Sequence, residues 1–203
     1  MSKINALCVY CGSSPGTDPV FVDAAHTFGK ILAENDIRLV YGGGSAGLMG
    51  ALADAVLKHG GDVTGIIPEF LINREHPRPR QHAQELIVTR DMHERKAKMF
   101  DMADAFVALP GGIGTLEELV EQLTWLQLGR HRKPVLLANI KGFWQPLIEL
   151  IEHMQLLGFI HSERRFSYLI VDRIEDALPR LLEYWAAVQP ELTPDQKKVI
   201  ERL

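Results

Sequence analysis

The sequence predicts an α/β chain: a doubly wound parallel sheet of about seven strands with helices on both faces. Three observations carry that prediction. Apolar runs of strand length recur along the chain, and they are continuous rather than alternating, as strands covered on both sides are. Longer stretches of helical periodicity separate them. A strand–helix alternation repeated this often is the pattern of parallel strands joined by crossovers. Finally, three strand ends run into turns rich in Gly and Ser, at the carboxyl edge where such sheets hold ligands.

The elements follow in order. Residues 6–10 are the first apolar run, and 19–34 the first helix, with Asp18 as N-cap and Pro19 at the first helical position. Proline suits that position because its fixed φ is already helical and its missing N–H would have no partner there. Strand 38–41 leads into helix 48–59, and strand 63–67 is followed by strand 86–89 and helix 92–103. Strand 105–109 precedes helix 115–128, strand 134–139 precedes helix 143–157, and strand 168–171 precedes helix 175–187. Residues 70–84, with Pro77, Pro79 and many polar side chains, read as an exposed loop. The tail 189–203 holds two prolines and a short charged helical pattern, suited to a subunit interface or to fraying. No repeat or linker divides the chain, so residues 1–188 are expected to form one Rossmann-like domain.

Composition sets the class. At roughly 150 residues per domain, 203 residues suit one large α/β domain. With 46% hydrophobic and 24% charged residues the chain is neither collagen-like nor disordered. Twenty-two basic against 26 acidic side chains give a net charge of −4, which argues against non-specific nucleic-acid binding. No apolar run approaches the ~20 residues of a membrane span, and the start Met1-Ser2-Lys3-Ile4-Asn5 has no signal-peptide character. A cytoplasmic enzyme or binding protein, free of membrane and nucleic acid, is the expectation.

Cys8 and Cys11 are spaced as C-x-x-C. A zinc site would need further ligands that no second pair supplies, and a redox pair would open a helix. Cys8 instead lies inside an apolar run and reads as a buried strand residue. Gly42, Gly44 and Gly47 match G-x-G-x-x-G, with Glu69 about where a ribose-binding acid would stand. The dinucleotide fingerprint, however, follows the first strand of its fold, and this one follows the second. It reads as a tight turn bordering another ligand.

The turn Pro110-Gly111-Gly112-Ile113-Gly114-Thr115 follows an apolar strand and opens a helix. It lacks the G-K-[ST] ending of a Walker loop. The backbone amides of 111–115 and the Thr115 hydroxyl can cradle one phosphate. Glu118, three residues after Thr115, shares its helix face. A carboxylate one turn from a phosphate is costly unless it has a task or a partner; the plainer reading is a partner for the helix dipole.

These segments resemble the Lonely Guy family, the cytokinin riboside 5′-monophosphate phosphoribohydrolases, long labelled "possible lysine decarboxylases". Pro110 to Glu118 looks like the family's P-G-G-x-G-T-x-x-E, Met92-His93-Glu94-Arg95-Lys96 like its M-H-x-R-K, and Thr124-Trp125-Leu126-Gln127-Leu128-Gly129 like its T-W-x-Q-L-G. Cys11-Gly12-Ser13-Ser14 and Tyr41-Gly42-Gly43-Gly44 fall at its first two loops, and the resemblance runs from about residue 5 to 185.

The resemblance implies hydrolysis of the N-glycosidic bond of a purine nucleoside 5′-monophosphate, a cytokinin nucleotide or AMP, to free base and ribose 5-phosphate. It implies no metal and no organic cofactor. It makes Arg95 and Glu118 the catalytic pair. It places Gly12, Ser13, Gly43, Gly44, Met92, Arg95, Lys96, Gly111, Gly112, Ile113, Gly114, Thr115, Leu116, Glu117 and Glu118 at the nucleotide, with Thr124 nearby. Glu75 follows Arg74 where the family often has Arg-Glu and would contact the nucleotide; the stretch after it, His76-Pro77-Arg78-Pro79-Arg80, is longer and more basic than the family pattern. The resemblance also implies a homodimer or higher homo-oligomer. The stripe Leu119, Leu123, Leu126 would serve an interface or a core equally.

Residue chemistry agrees with the implied reaction. Loss of a purine leaves an oxocarbenium-like ribose, which a carboxylate can stabilise or supply with an activated water. Arg95 can pair with Glu118 or bridge to the phosphate. A nucleotide carrier or sensor of the same fold without turnover is the alternative, since fold alone does not decide function. The Arg95–Glu118 pair separates the two, because a pure phosphate binder gains nothing from that carboxylate. Lysine decarboxylation would use a pyridoxal cofactor on a lysine; Lys96 is the only lysine inside the quoted motifs, and it has no obvious pyridine partner.

Overall fold

The computed structural model describes residues 3–72, 83–160 and 167–188. Seven strands are found among them: β1 (Ala6–Tyr10), β2 (Arg38–Tyr41), β3 (Val63–Pro68), β4 (Glu85–Thr89), β5 (Ala105–Ala108), β6 (Val135–Ala138) and β7 (Leu169–Val171). They pair in parallel in the order β4-β3-β2-β1-β5-β6-β7. Six α-helices accompany them among the described residues: α1 (Pro19–Glu34), α2 (Gly47–Lys58), α3 (Met92–Asp101), α4 (Ile113–Gln127), α5 (Gln145–Leu156) and α6 (Ala177–Val188). This is the doubly wound, Rossmann-like sheet expected. The basic loop with Glu75 and the tail 189–203 lie outside the described residues.

The strand composition follows from burial. β1, β5 and β6 are buried at every position, which is why they read as unbroken apolar runs. β1 supplies the two faces alternately. Leu7 and Val9 enter a core with α1, α2 and α6, while Ala6, Cys8 and Tyr10 enter a second core with α3, α4 and α5. Leu119 and Leu123 belong to that second core, with Leu126 packed against it, so the α4 stripe serves the core of this chain.

Helix starts are chemically marked. Asp18 accepts from the Val20 N–H at 3.0 Å and caps α1 ahead of Pro19. Asp91 accepts from the Glu94 N–H at 2.8 Å and caps α3. The helix at 113 differs from expectation: it starts at Ile113, two residues before Thr115, after an extended Gly112 that has no side-chain cap. Short 3₁₀ turns, Ile140–Gly142 and Ile174–Asp176, take up residues around the starts of α5 and α6. No helix among the described residues is long and apolar enough to cross a membrane.

α1 and α2 cross at Gly29. A Cβ there would lie 2.6 Å from the Leu52 carbonyl oxygen and 2.7 Å from the Ala55 Cβ. Gly29→Ala should therefore destabilise the protein by about 1–3 kcal/mol, because overpacking outweighs the ~1 kcal/mol that alanine gains in helix propensity. Urea denaturation checks it; an unchanged or raised midpoint would show that the helices separate freely.

Candidate active site

Crossovers leave β1 on opposite sides, toward β2 in one direction and β5 in the other, so a crevice opens where their carboxyl ends diverge. The loops there are tied together. Gly12 N–H donates to the Pro110 carbonyl at 3.1 Å, and the Gly12 carbonyl accepts from Leu48 N at 3.0 Å and Met49 N at 3.3 Å. A cavity of about 270 Å³ lies in the crevice, walled by the end of β1, Gly42, Met49, Leu71, the start of α3 and the start of α4.

The α4 start is built for close approach. A Cβ on Gly111 would fall 2.2 Å from the Thr115 Oγ1, so only glycine lets Thr115 fold back into its buried position. Around Gly112 and Gly114 there is open space. The amides of the first turn have no intrahelical acceptor, and no side chain caps them. With the positive end of the helix behind them, these amides can donate to an anionic group.

Arg95 and Glu118 meet in the wall of the same cavity. Arg95 Nη1 lies 3.7 Å from Glu118 Oε1, with the two side chains only 7% and 10% exposed. The guanidinium is fixed by backbone: Nε donates to the Ile66 carbonyl and Nη2 to the Gly42 carbonyl, each at 3.1 Å, and Nη1 points at the Met92 sulfur at 3.7 Å. The carboxyl ends of β2 and β3 thus hold the cation, and the cation offsets the buried carboxylate. Burial of either charge alone would cost several kcal/mol. This commits Arg95 to Glu118 and the strand ends.

Lys96 turns the other way. Its ammonium bonds Glu117 Oε1 at 2.5 Å and Glu121 Oε1 at 2.9 Å, joining α3 to α4. Burial works to lower its pKa, but the two carboxylates outweigh that and hold it above its ordinary value. An ammonium so paired is a poor imine-forming amine, which argues against a Schiff-base role. Tyr10 stacks on Phe106 with ring centres 6.0 Å apart, and burial first, then the Cys8 and Glu118 charges, pushes its phenol well up. Cys8 and Cys11 are free and buried on opposite sides of the sheet, and burial raises both thiols.

Of the residues singled out from sequence, Gly12, Ser13, Met92, Arg95, Gly112, Ile113, Gly114, Thr115, Glu117 and Glu118 line the cavity. Others sit off its wall. Gly43, at φ +75°, backs onto Ile67 of β3; Gly111 supports Thr115 from behind; Leu116 packs against the second core. Lys96 is engaged with Glu117 and Glu121, and the Thr124 hydroxyl donates to the Val120 carbonyl of its own helix at 2.7 Å. Glu75 lies outside the described residues. Gly44 is buried in the loop after β2, off the cavity wall. Tyr10, Cys11, Met49 and Leu71 also line the cavity. Sequence reading did not assign them to the site, because apolar side chains at strand and helix ends look like core; the turns at Cys11-Gly12-Ser13 and at Gly42 were the signals pointing there.

Fold and cavity together define a Rossmann-like α/β protein with a cleft at the switch point of its sheet, bordered by a helix N-terminus. Comparison with known proteins narrows this. Residues 49–181 match a family model described as "Possible lysine decarboxylase". The chain is 45% identical to the cytokinin riboside 5′-monophosphate phosphoribohydrolase LOG of Oryza sativa subsp. japonica over 183 residues, 90% of this chain and 75% of that protein. It is 44% identical to the cytokinin riboside 5′-monophosphate phosphoribohydrolase of Rhodococcoides fascians over 174 residues, 85% of this chain and 87% of that one. A solved structure of the Moco carrier protein from Chlamydomonas reinhardtii shares the fold, with TM-score 0.67 at 20% identity over 91% of this chain and 99% of that one. The chain belongs to the cytokinin riboside 5′-monophosphate phosphoribohydrolase family, the Lonely Guy family.

Proposed function

We propose that the protein hydrolyses the N-glycosidic bond of purine nucleoside 5′-monophosphates, releasing the base and ribose 5-phosphate. The observation that carries this reading is the buried Arg95–Glu118 pair, one helical turn from the phosphate cradle of α4. A phosphate on the amides of 112–115 fixes the 5′ end and brings the ribose over Glu118; that remote binding energy orients the reacting centre. As the C1′–N bond breaks, its electron pair leaves with the purine, and positive charge grows on the ribose. The Glu118 carboxylate stabilises that charge and accepts a proton from the water that attacks C1′, while the departing purine takes up one proton, from solvent or from the protonated Glu118, and leaves as neutral base. Arg95 compensates Glu118 without competing for the phosphate, because the strand carbonyls hold it.

AMP and N6-isopentenyl AMP share the phosphate and ribose that this site grips, and both are proposed substrates. Adenosine and AMP compared at equal concentration test the reading. Adenine should be released from AMP, with little from the nucleoside. Equal turnover would remove the phosphate cradle from the account, and no release from either nucleotide would favour a carrier of the same fold.

A single catalytic domain working in the cytoplasm, with the nucleotide as its small-molecule partner, completes the reading. We also propose a homodimer or higher homo-oligomer. Ile113 at the cavity rim is 81% exposed, and Leu156 and Phe159 are 83% and 77% exposed, apolar surface that a second copy would cover. Light scattering at micromolar concentration should give at least twice the 22.8 kDa of one chain. A monomer mass would overturn this.

A further inference from the structure

We infer that Gly42 is a positioning residue for Arg95: the missing side chain at the end of β2 is what lets the guanidinium lie against the strand ends and face Glu118. An ideal Cβ on Gly42 would fall 2.1 Å from Arg95 Nη2, 3.3 Å from its Cζ and 3.3 Å from the Met49 sulfur. Each of these atoms belongs to a side chain. Gly47 is different, since a Cβ there would strike the Ser13 backbone at 2.4 Å and the residue has φ +59°. Gly42 is not among the glycines with positive φ, so its backbone accepts alanine without strain.

Two demands meet at this residue. The Gly42 carbonyl accepts from Nη2 at 3.1 Å, so the guanidinium rests directly on the main chain. Any Cβ must push the same nitrogen away. Displacement stretches that bond and the one to the Ile66 carbonyl, and it disturbs the 3.7 Å approach of Nη1 to Glu118. The glycine turn thus acts through Arg95, from a position in the cavity wall. Its catalytic consequence rests on the nucleotide hydrolysis proposed above; the positioning itself does not.

The test uses the full chain as wild type, Gly42→Ala, Arg95→Lys and the double variant, with single-turnover hydrolysis of AMP. Gly42→Ala should lower kcat by about 10²-fold while KM stays within about 3-fold, the mark of a lost transition-state interaction. In the Arg95→Lys background, which lacks the clashing nitrogen, the same substitution should cost less than about 2-fold, since both changes act on one interaction. Phenylglyoxal labelling of Arg95, read by peptide mass, reports its position independently of activity. Arg95 should be protected in wild type and labelled several-fold faster in Gly42→Ala.

Wild-type kcat in Gly42→Ala, fully additive losses, or unchanged labelling would each overturn the inference. If Gly42→Ala alone does not fold, recovery of folding in the Arg95→Lys background supports it and failure there refutes it. An inactive wild type with labelling that responds to Gly42→Ala would retire the hydrolysis reading and keep the positioning one.

Discussion

Glu118→Gln should lower AMP turnover by about 10²-fold or more, the scale of one acid–base or electrostatic group, while AMP binding persists or tightens. The substitution keeps the side chain's size and its reach to Arg95 but removes the charge that meets the ribose cation. It also removes a carboxylate one helical turn from the phosphate cradle, so ground-state binding has nothing to lose. Adenine release and equilibrium binding of AMP, measured on the same preparation, separate the two effects. Glu117→Gln is the comparison. Its carboxylate lines the cavity too, but the side chain is 51% exposed and tied to Lys96, so a smaller loss is expected. Full activity in Glu118→Gln with an inactive Glu117→Gln would transfer the role to the neighbour.

Arg95→Leu should cost both activity and about 3–5 kcal/mol of stability, the usual penalty for stranding one half of a buried ion pair. Glu118 would be left 10% exposed without its cation, and the Gly42 and Ile66 carbonyls would lose their donor. At 2–4 °C per kcal/mol for a chain of this size, the melting temperature should fall by roughly 10 °C. Arg95→Leu combined with Glu118→Leu should recover much of that loss and none of the activity. Calorimetry decides it: an unchanged melting temperature in Arg95→Leu would mean that water, not the protein, solvates the pair.

How far the sequence carries depends on whether an interaction is local. β1 and β2 have the expected boundaries because a strand buried on both faces leaves no alternation to confuse. α1 is equally plain, since Asp18 and Pro19 mark its start within three residues of chain. Arg95 and Glu118 were reached by spacing within a family pattern, but nothing local shows that the ends of β2 and β3 clamp the guanidinium. That contact joins residues from three elements. The start of α4 was misplaced because Ile113 and Gly114 look like turn, whereas extended Gly112 lets the helix begin two residues earlier. Thr124 is a different case: a hydroxyl within a matching motif whose proton is donated to its own helix.

The central place of β1 also governs how the molecule is made. β1 pairs with β2, its neighbour in sequence, and with β5, where Leu7 lies opposite Ala105. A chain emerging from the ribosome completes β1, β2, β3 and β4 well before β5 exists. During that interval β1 is an edge, apolar on both faces with one side of its backbone unpaired, the kind of surface that recruits other strands. The join with β5 is also the long-range step expected to slow folding. It brings Gly12 to Pro110 and so completes the loops of the proposed phosphate cradle. A nucleotide at the proposed site would therefore stabilise only the finished sheet and give no help to the half-made one, which leaves the nascent N-terminal half with an unpaired, apolar edge.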